Sequence, residues 1–226
     1  MSTSGPTRSA PPQVFLRPIG NPLPLGFVGL AVATAVLSSF NLGWIPSSQQ
    51  HQVALVLIAF AFPLQMVATI LLFLARDAPA GAGVGVLSVT WLALGLLLLT
   101  SRPGSLSTTV SIFLFASAAA LLPSACTSSL SKLVPGLVMI GSALKYVLTG
   151  IYERFGGVTW AHVTGWEGIV LAVLAIYAAL ASDLAAMLHR SVLPLGRHGG
   201  GLQAVDENLA DQEPELEREP GVRSQT

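Results

Sequence analysis

The chain has 226 residues, of which 52% are hydrophobic and only 10% are charged, and its mean hydropathy is +0.69. Soluble domains carry about 25% charged residues, so this composition excludes an ordinary soluble domain and predicts a membrane protein. The formal net charge is zero, which gives no indication of a nucleic-acid partner. The one cysteine, Cys126, excludes an internal disulfide, and we expect it to be a small apolar packing residue.

The two ends of the chain are polar and predict disordered tails. Residues 1–19 are rich in serine, threonine and proline and lack the apolar core of a signal peptide, so the first helix is expected to act as its own insertion signal. Residues 197–226 hold seven of the eleven acids, all between Asp206 and Glu219. We expect this acidic tail to be solvated, with docking of a soluble partner as the alternative.

Between the tails, residues 20–196 are dominated by long apolar runs. A bilayer core about 30 Å thick is crossed by about 20 helical residues, and the runs are continuous rather than alternating as a β-barrel requires. The sequence therefore predicts an all-α membrane protein, a six-transmembrane-helix bundle. The predicted helices cover residues 23–42, 53–75, 83–100, 108–126, 133–151 and 165–187.

The distribution of lysine and arginine predicts the orientation. With six spans both termini share one side, which holds six such residues near the membrane, whereas the other side holds two. The six are Arg8, Arg17, Arg76, Lys132, Arg190 and Arg197, and the two are Arg102 and Arg154. By the positive-inside rule the N- and C-termini are cytoplasmic, and the protein is a multi-pass protein of the cell (plasma) membrane. Trp44, Trp160 and Trp166 then fall near the outer interface, where aromatic belts form.

Motifs of catalytic and cofactor sites are missing from the sequence. It contains no HExxH, GxSxG or GxxxxGK[ST] motif, no GxGxxG motif after a strand and no metal-type spacing of Cys and His. The four histidines fall in loops or at helix ends. We therefore predict that the protein is not an enzyme and uses no cofactor or metal. The glycine-rich stretch at 81–85 is expected to be a loop that enters the third helix and permits close helix packing.

A few polar residues lie inside the apolar runs. Lys145, in the fifth helix, either faces the interior, where it would attract an anion, or snorkels to the nearby loop. Glu167 and Asp183 lie at the two ends of the sixth predicted helix, where we expect them to be solvated. Weaker candidates, for substrate contacts or for hydrogen bonds between helices, are Asn41, Gln65 and Thr69.

The first helix opens on the stretch Asn21-Pro22-Leu23-Pro24. Proline is tolerated in the first turn of a helix, with Asn21 as the cap, but it also biases the residue before it toward extended geometry. The free amides at a helix N-terminus are in addition able to bind an anion. The residues alone leave both a helix start signal and an anion site open.

The stretch NPLPLGFVGLA, residues 21–31, resembles the first-helix signature of the acetate uptake transporter family (AceTr, the YaaH/SatP-like proteins). The likeness continues at 41–43, at Gln65 and at Trp91, which falls on a family aromatic. Residues 165–196 are similar without gaps to the last helix of the family, including the terminal Leu-Pro-Leu-Gly. In all, the likeness spans about residues 20–196 and is weak in helices 4 and 5.

This resemblance implies a six-helix protomer in a ring-shaped homo-oligomer, typically a hexamer, with one anion path through each protomer. It implies small carboxylate anions as substrates, acetate-like monocarboxylates and in some members succinate, moved passively or by proton symport. The signature residues Asn21, Pro22 and Pro24 are expected on the pathway, together with an apolar constriction.

Four leucines depart from the family pattern. Leu30 stands where the family has phenylalanine, Leu87 where it has tyrosine, and Leu72 where a glutamate is common, while Leu23 is bulkier than the usual residue. The leucine at position 87 removes the tyrosine hydroxyl that would bind a carboxylate. Together, Leu30 and Leu87 predict an apolar neck. A wider or more apolar path suits longer acids than acetate.

The sequence thus predicts a membrane channel or transporter for small carboxylate anions. The anion is expected to lose part of its hydration near Asn21 and Thr34 and then to pass the apolar neck, with Gln65 as a donor. The predicted pathway residues are Asn21, Pro22, Pro24, Leu30, Thr34, Asn41, Gln65, Leu87, Trp91 and Lys145. The alternative function is a non-transporting membrane scaffold whose acidic tail recruits a soluble partner.

Overall fold

The computed structural model describes residues 20–188 and 192–197. The predicted tails, apart from residue 197, lie outside these ranges, as do Arg8, Arg17 and Arg190, so the tail predictions and part of the charge count stay predictions. All regular secondary structure in the two described ranges is helical, apart from one isolated β-bridge between Lys132 and Arg197.

Six helices in the described part of the chain are long and apolar enough to cross a membrane, which confirms the predicted six-helix fold class. They are α1 Leu23–Asn41, α2 Ser47–Leu74, α3 Ala78–Thr100, α4 Thr108–Ser129, α5 Leu133–Phe155 and α6 Val158–Leu188. The predicted starts of α1, α4 and α5 coincide with the observed ones, because polar or proline-containing loops immediately precede these helices.

The glycine-rich stretch 81–85 was predicted to be a loop. In the structure it is part of helix α3. The helix starts five residues earlier because the Asp77 side chain caps it, accepting a hydrogen bond from the Ala80 amide at 3.2 Å. Pro79 occupies the first turn, where its missing N–H costs nothing. The small residues of this turn then allow close packing, as expected: Gly83 lies against Met139 of α5.

Helix α6 also starts earlier than predicted, at Val158 instead of residue 165. Gly156 and Gly157, with φ angles of 67° and 92°, turn the chain between α5 and α6 within two residues. The residues that follow these glycines form the first turns of helix α6, even though their polar composition is typical of a loop. As a result Glu167 lies almost three turns inside α6 and not at its first turn.

The six helices form a closed ring. Each helix packs against the next one in chain order, and α6 packs against α1 to complete the circle. Small residues allow the close crossings that helix packing in membranes requires. A Cβ at Gly95 of α3 would lie 3.0 Å from the Ala54 carbonyl oxygen of α2, and one at Gly165 of α6 would lie 3.3 Å from the Ser38 carbonyl oxygen of α1.

Helix α2 widens into a π-helical turn at Leu57–Ala61. Pro63 follows this turn and has no amide to donate, so the regular backbone ladder is interrupted there. Ile58 of the widened turn packs against Gly95 of α3. The irregular backbone is therefore placed against a neighbouring helix, as membrane proteins require.

The outward faces of the helices are apolar, as a lipid-facing surface should be. Ile112, Val170 and Val173 are exposed by 63%, 68% and 64%. Cys126, predicted to be a small apolar packing residue, is exposed on this outward surface and is not part of the core of the described chain. Its neighbours Ser124 and Ala125 occupy the inward face of α4 instead.

The segment 192–197 packs against the start of α5. The Leu133 amide donates to the Gly196 carbonyl at 3.0 Å, and the Val134 amide donates to the Leu195 carbonyl at 3.1 Å. Tyr177 of α6 donates its hydroxyl to the Pro194 carbonyl at 2.9 Å. The segment thereby satisfies two amides at a helix start that have no partner within the helix.

Candidate functional site

A cavity of about 150 Å³, here called the vestibule, opens at the end of the ring where α1 ends and α2 begins. It lies between α1, α2, α3, α4 and α5 and includes the loop that joins α3 to α4. Its lining combines polar groups with an apolar wall. The polar residues are Asn41, Gln50, Thr100, Ser101, Ser105, Ser107, Thr149, Tyr152 and Glu153, and the apolar ones include Leu37, Phe40, Leu94, Leu97, Leu98 and Val110.

Side-chain hydrogen bonds hold the wall of the vestibule. Gln50, which is buried, donates its amide to the Leu98 carbonyl at 2.8 Å and to the Ser101 carbonyl at 3.2 Å. Glu153 accepts the Ser107 amide at 3.0 Å and so ties the start of α4 to the end of α5. The amide nitrogen of Asn41 is buried and has no hydrogen-bond partner among the described residues. Hydrogen bonds therefore tie the wall of the vestibule together, and Asn41 offers a buried donor without a partner there.

A second, smaller cavity of about 50 Å³ lies at the opposite end of the ring. It is formed where α1, α3 and α5 begin and α4 ends, so the ring has a cavity at each end. Its lining residues are Leu23, Asp77, Pro79, Ala80, Thr127, Ser128, Ser131, Lys132 and Pro135.

The Asn-Pro-x-Pro signature lies at this second end. Pro22 occupies the cap position of α1, not Asn21 as predicted, and both Pro22 and Pro24 are buried. Asn21 is exposed and still supports the helix start, because its Oδ1 accepts the Leu23 amide at 3.1 Å. Of the signature, Leu23 lines the small cavity. The signature thus starts α1 at the mouth of a cavity, which supports the interpretation as a helix start signal, while the anion site stays a prediction.

Large side chains fill the interior of the ring between the two ends. Leu30 of α1 and Leu87 of α3, the predicted neck residues, are completely buried in the common core. Trp91 of α3 and Tyr146 of α5 face each other across the ring, with ring centroids 6.1 Å apart in a T-shaped arrangement. One helical turn after each of these two residues, its own helix contributes a residue to the lining of the vestibule. The two aromatic rings therefore lie directly beneath the vestibule.

Tyr146 was not among the predicted site residues. A tyrosine in the middle of an apolar helix was a usable signal, because a hydroxyl at membrane depth needs a partner. In the structure it lies beside Thr90, whose hydroxyl oxygen is 3.5 Å from that of Ser117 in α4, but the Tyr146 hydroxyl itself is buried and has no hydrogen-bond partner among the described residues. The indole nitrogen of Trp91 is buried and has no hydrogen-bond partner among the described residues.

The donors of Thr34 and Gln65 are engaged within the protein. Thr34 donates its hydroxyl to the Leu30 carbonyl of its own helix at 2.7 Å. Gln65 donates its amide to the Gly26 carbonyl at 3.0 Å and so joins α2 to α1. The Gln65 oxygen is buried with no partner among the described residues, so the free atom of this side chain is an acceptor.

Lys145 lies in the protein interior. It does not snorkel to the nearby loop, which was the other predicted possibility. Only 1% of the residue is exposed. Its amine donates to the Ser38 hydroxyl of α1 at 3.1 Å and to the Thr164 carbonyl of α6. Gly168 of α6 leaves the space that the amine occupies, because a Cβ there would overlap it. Lys145 is not part of the lining of the vestibule or of the small cavity.

Glu167 is half-buried and faces the charge of Lys145, so the expectation that it is solvated is wrong. Its Oε2 atom is buried with no hydrogen-bond partner among the described residues. The early start of α6 is the reason, because it places Glu167 inside the helix, within the contact between α5 and α6. No group of three or more potential metal-ligating side chains occurs in residues 20–188 and 192–197.

Comparisons with known proteins bear on the fold. No family model matches the sequence, and no curated protein matches it either. The solved structure of the bacterial acetate channel SatP is similar, with a TM-score of 0.70 and 23% sequence identity. The match covers 78% of this chain and 98% of that channel. The family resemblance is thus confirmed at the level of the fold: the chain is a multi-pass, six-helix membrane protein with the fold of the acetate channel SatP.

Proposed function

We propose that the protein is a channel or transporter for small carboxylate anions in the plasma membrane, with both termini in the cytoplasm. The observation that carries this proposal is the match to an acetate channel over 98% of that chain. A closed ring with a cavity at each end supports it, because such a ring provides two mouths and a narrow interior between them. The side that holds the termini has six lysines and arginines near the membrane and the other side has two, which supports cytoplasmic termini.

The proposed path runs from the vestibule to the small cavity at the Asn-Pro-x-Pro signature. A hydrated carboxylate enters the vestibule, where the free Asn41 amide replaces part of its water. It then passes the buried side chains of Leu30 and Leu87, which form an apolar neck that opens and closes by wetting and dewetting. It leaves past Asn21, Pro22 and Pro24. The buried charge of Lys145 contributes a positive field to the middle of this path.

The size of the vestibule favours monocarboxylates longer than acetate, with acetate and succinate as weaker substrates. A cavity of about 150 Å³ holds a molecule of roughly the size of benzene. Leucines and a phenylalanine supply an apolar wall for an alkyl tail, while the Glu153 carboxylate repels a dianion such as succinate more strongly than a monoanion.

We further propose that the protein is a homo-oligomer, a hexamer by the family resemblance. The outward face of α4 supports this, because small exposed residues on a membrane helix permit close packing against another helix. These residues are Ala116, Ala119, Ala120 and Cys126.

A flux assay tests the proposed function. Purified protein is reconstituted into liposomes, and uptake of labelled straight-chain carboxylates from formate to hexanoate is measured with and without a proton gradient. We expect uptake above that of protein-free liposomes, with a maximum at butyrate or pentanoate. A dependence on the gradient identifies proton symport, and independence identifies a passive channel.

A protein that passes no carboxylate under either condition would exclude the transport proposal. The acidity of the C-terminal tail favours the scaffold as the second candidate function. Deletion of residues 199–226 tests it: a phenotype that follows the tail, with no flux in liposomes, identifies a scaffold.

A further inference from the structure

The indole nitrogen of Trp91 is the starting point, because its N–H has no use within the described structure. Trp91 is fully buried, and its Nε1 finds no hydrogen-bond partner among the described residues. Buried donors in proteins are nearly always paired, so an unpaired one needs an explanation in a bound water, ion or ligand. An indole N–H is a donor only, and the missing partner must therefore be an acceptor.

The position of Trp91 in the ring indicates that the missing acceptor for its indole N–H is a ligand that moves through the ring. Leu94, one helical turn after Trp91 on α3, lines the vestibule, and Thr149 does the same one turn after Tyr146 on α5. Trp91 and Tyr146 therefore form the floor of the vestibule, where their T-shaped contact spans the ring. An anion that leaves the vestibule toward the neck at Leu87 must pass this pair.

The other polar groups of the interior leave few donors for an anion. Thr34 donates to its own helix, and the amide of Gln65 donates to Gly26. Lys145 donates to Ser38 and to the Thr164 carbonyl, and neither of these residues lines the vestibule. Asn41 at the vestibule wall and Trp91 at its floor keep buried donor atoms without partners among the described residues. The Tyr146 hydroxyl, beside Trp91, is a third such group, so these free donors lie in succession along the proposed path.

We propose that the indole N–H of Trp91 is a carboxylate-binding site at the floor of the vestibule, in the path of the anion. This inference rests on the proposed function and identifies the group that receives the carboxylate after the vestibule. A charged acceptor forms the stronger kind of hydrogen bond, and it forms best where water is excluded. The aromatic contact with Tyr146 holds the indole in place, and the apolar residues around it receive the alkyl tail.

Nuclear magnetic resonance of the indole N–H tests the site without a flux measurement. Protein labelled with ¹⁵N-tryptophan in detergent micelles is titrated with sodium butyrate and, separately, with sodium chloride and with 1-butanol. The Trp91→Phe variant identifies the Trp91 signal among those of the four tryptophans. We expect a saturable downfield shift of this signal with butyrate and none with chloride or butanol. Absence of a saturable butyrate shift would overturn the proposal.

Flux in liposomes provides the second measurement. Trp91→Phe keeps an aromatic ring and removes the N–H, so butyrate uptake should fall about tenfold, as loss of one hydrogen bond to a charged group predicts. Trp160→Phe, which removes the N–H of an exposed tryptophan, is the matched control and should keep wild-type uptake. Size-exclusion chromatography establishes that both variants are folded. If Trp91→Phe is not, the wild-type titration decides the question, with the Trp91 signal identified as the one that persists when Trp44, Trp160 and Trp166 are replaced in turn.

The two measurements separate the proposals. Butyrate uptake that is normal in the wild type and unchanged in a folded Trp91→Phe variant overturns the Trp91 site and leaves the transport function intact. A wild-type protein that takes up no carboxylate overturns the transport function, and the titration of the Trp91 signal then decides by itself whether the site binds carboxylates.

Discussion

The side-chain amine of Lys145 donates a hydrogen bond to the Ser38 hydroxyl, 3.1 Å away, and thereby joins α5 to α1. The same amine donates to the Thr164 carbonyl of α6. One buried cation therefore connects the three helices at the place where the ring closes. A charge at this depth is costly in a membrane protein unless such partners are in place.

Lys145→Met tests the stabilising role of this cation. Methionine fills much of the same space, but the Ser38 hydroxyl and the Thr164 carbonyl lose their donor, and Glu167 loses the charge that it faces. We expect a loss of about 1–3 kcal/mol in the free energy of unfolding, the cost of leaving buried polar groups unpaired. Thermal unfolding in detergent, followed by tryptophan fluorescence, measures it. Arg102→Met, which removes an exposed cation, should leave the midpoint unchanged; equal midpoints for both variants would contradict the prediction.

Gly168→Ala tests the space into which the amine fits. An added Cβ would overlap the Ser38 hydroxyl and the Lys145 amine, so either these side chains give up their hydrogen bond or α6 moves away from α1 and α5. We expect a lower unfolding temperature, even though alanine is the better helix former. Gly141→Ala is the matched control within α5, because its Cβ would meet only the end of the flexible Leu171 side chain. If both variants have the same stability, the contact at Gly168 is not tight.

Leu87→Ala tests the apolar neck. Shortening a fully buried side chain inside the ring widens the path, so we expect faster carboxylate uptake in liposomes and a shift of the optimum toward longer acids. Leu96→Ala, on the exposed face of the same helix, should conduct like the wild type. Because a buried Leu→Ala substitution costs about 2–5 kcal/mol, folding is checked by size-exclusion chromatography. Slower uptake in the folded variant would place the narrowest point elsewhere.

Asn21 combines two effects that a pair of variants separates. Asn21→Ala loses the side-chain acceptor for the Leu23 amide, so it should lower both stability and acetate uptake, the former by about 1 kcal/mol. Asn21→Asp keeps an acceptor oxygen and adds a negative charge at the mouth of the small cavity. We expect it to retain stability and to lower the uptake of anions. Unchanged uptake in both variants would exclude Asn21 from the pathway.

Cysteine labelling tests the proposed orientation. In a Cys126→Ser background, Arg102→Cys lies in the loop between α3 and α4, and Leu130→Cys lies in the loop between α4 and α5. Both positions are exposed. A membrane-impermeant maleimide added to intact cells should label Arg102→Cys, whereas Leu130→Cys should react only after permeabilisation. The reverse labelling pattern would place the termini outside the cell.

The fold was largely predictable because the thickness of the bilayer fixes how many apolar residues a helix needs. The errors in the predicted helix bounds lie outside the hydrocarbon layer, where the thickness of the bilayer no longer limits the helix. Hydropathy does not detect helical turns beyond the hydrocarbon layer, so the starts of α3 and α6 were predicted too late. A side-chain cap at Asp77 and two glycines at 156–157 decide those starts instead.

The candidate site was predictable only in part, because its geometry depends on which helices face each other across the ring. Leu30, Leu87 and Trp91 are buried in the interior of the ring, and their place on a substrate path stays a prediction. The contact of Trp91 with Tyr146 joins two helices that are not adjacent in the ring, and no local pattern signals it. The partners of Lys145 depend likewise on Gly168, a residue on another helix that contributes only by being small.

The hydrogen bonds between the segment 192–197 and the start of α5 have a consequence for whatever follows them in the chain. Because Leu195 and Gly196 are fastened to Val134 and Leu133, residue 197 has a fixed position beside Lys132. Lys132 in turn lines the small cavity. In the sequence, eight residues, 198–205, separate this fixed position at one mouth of the ring from Asp206, the first acid of the C-terminal stretch.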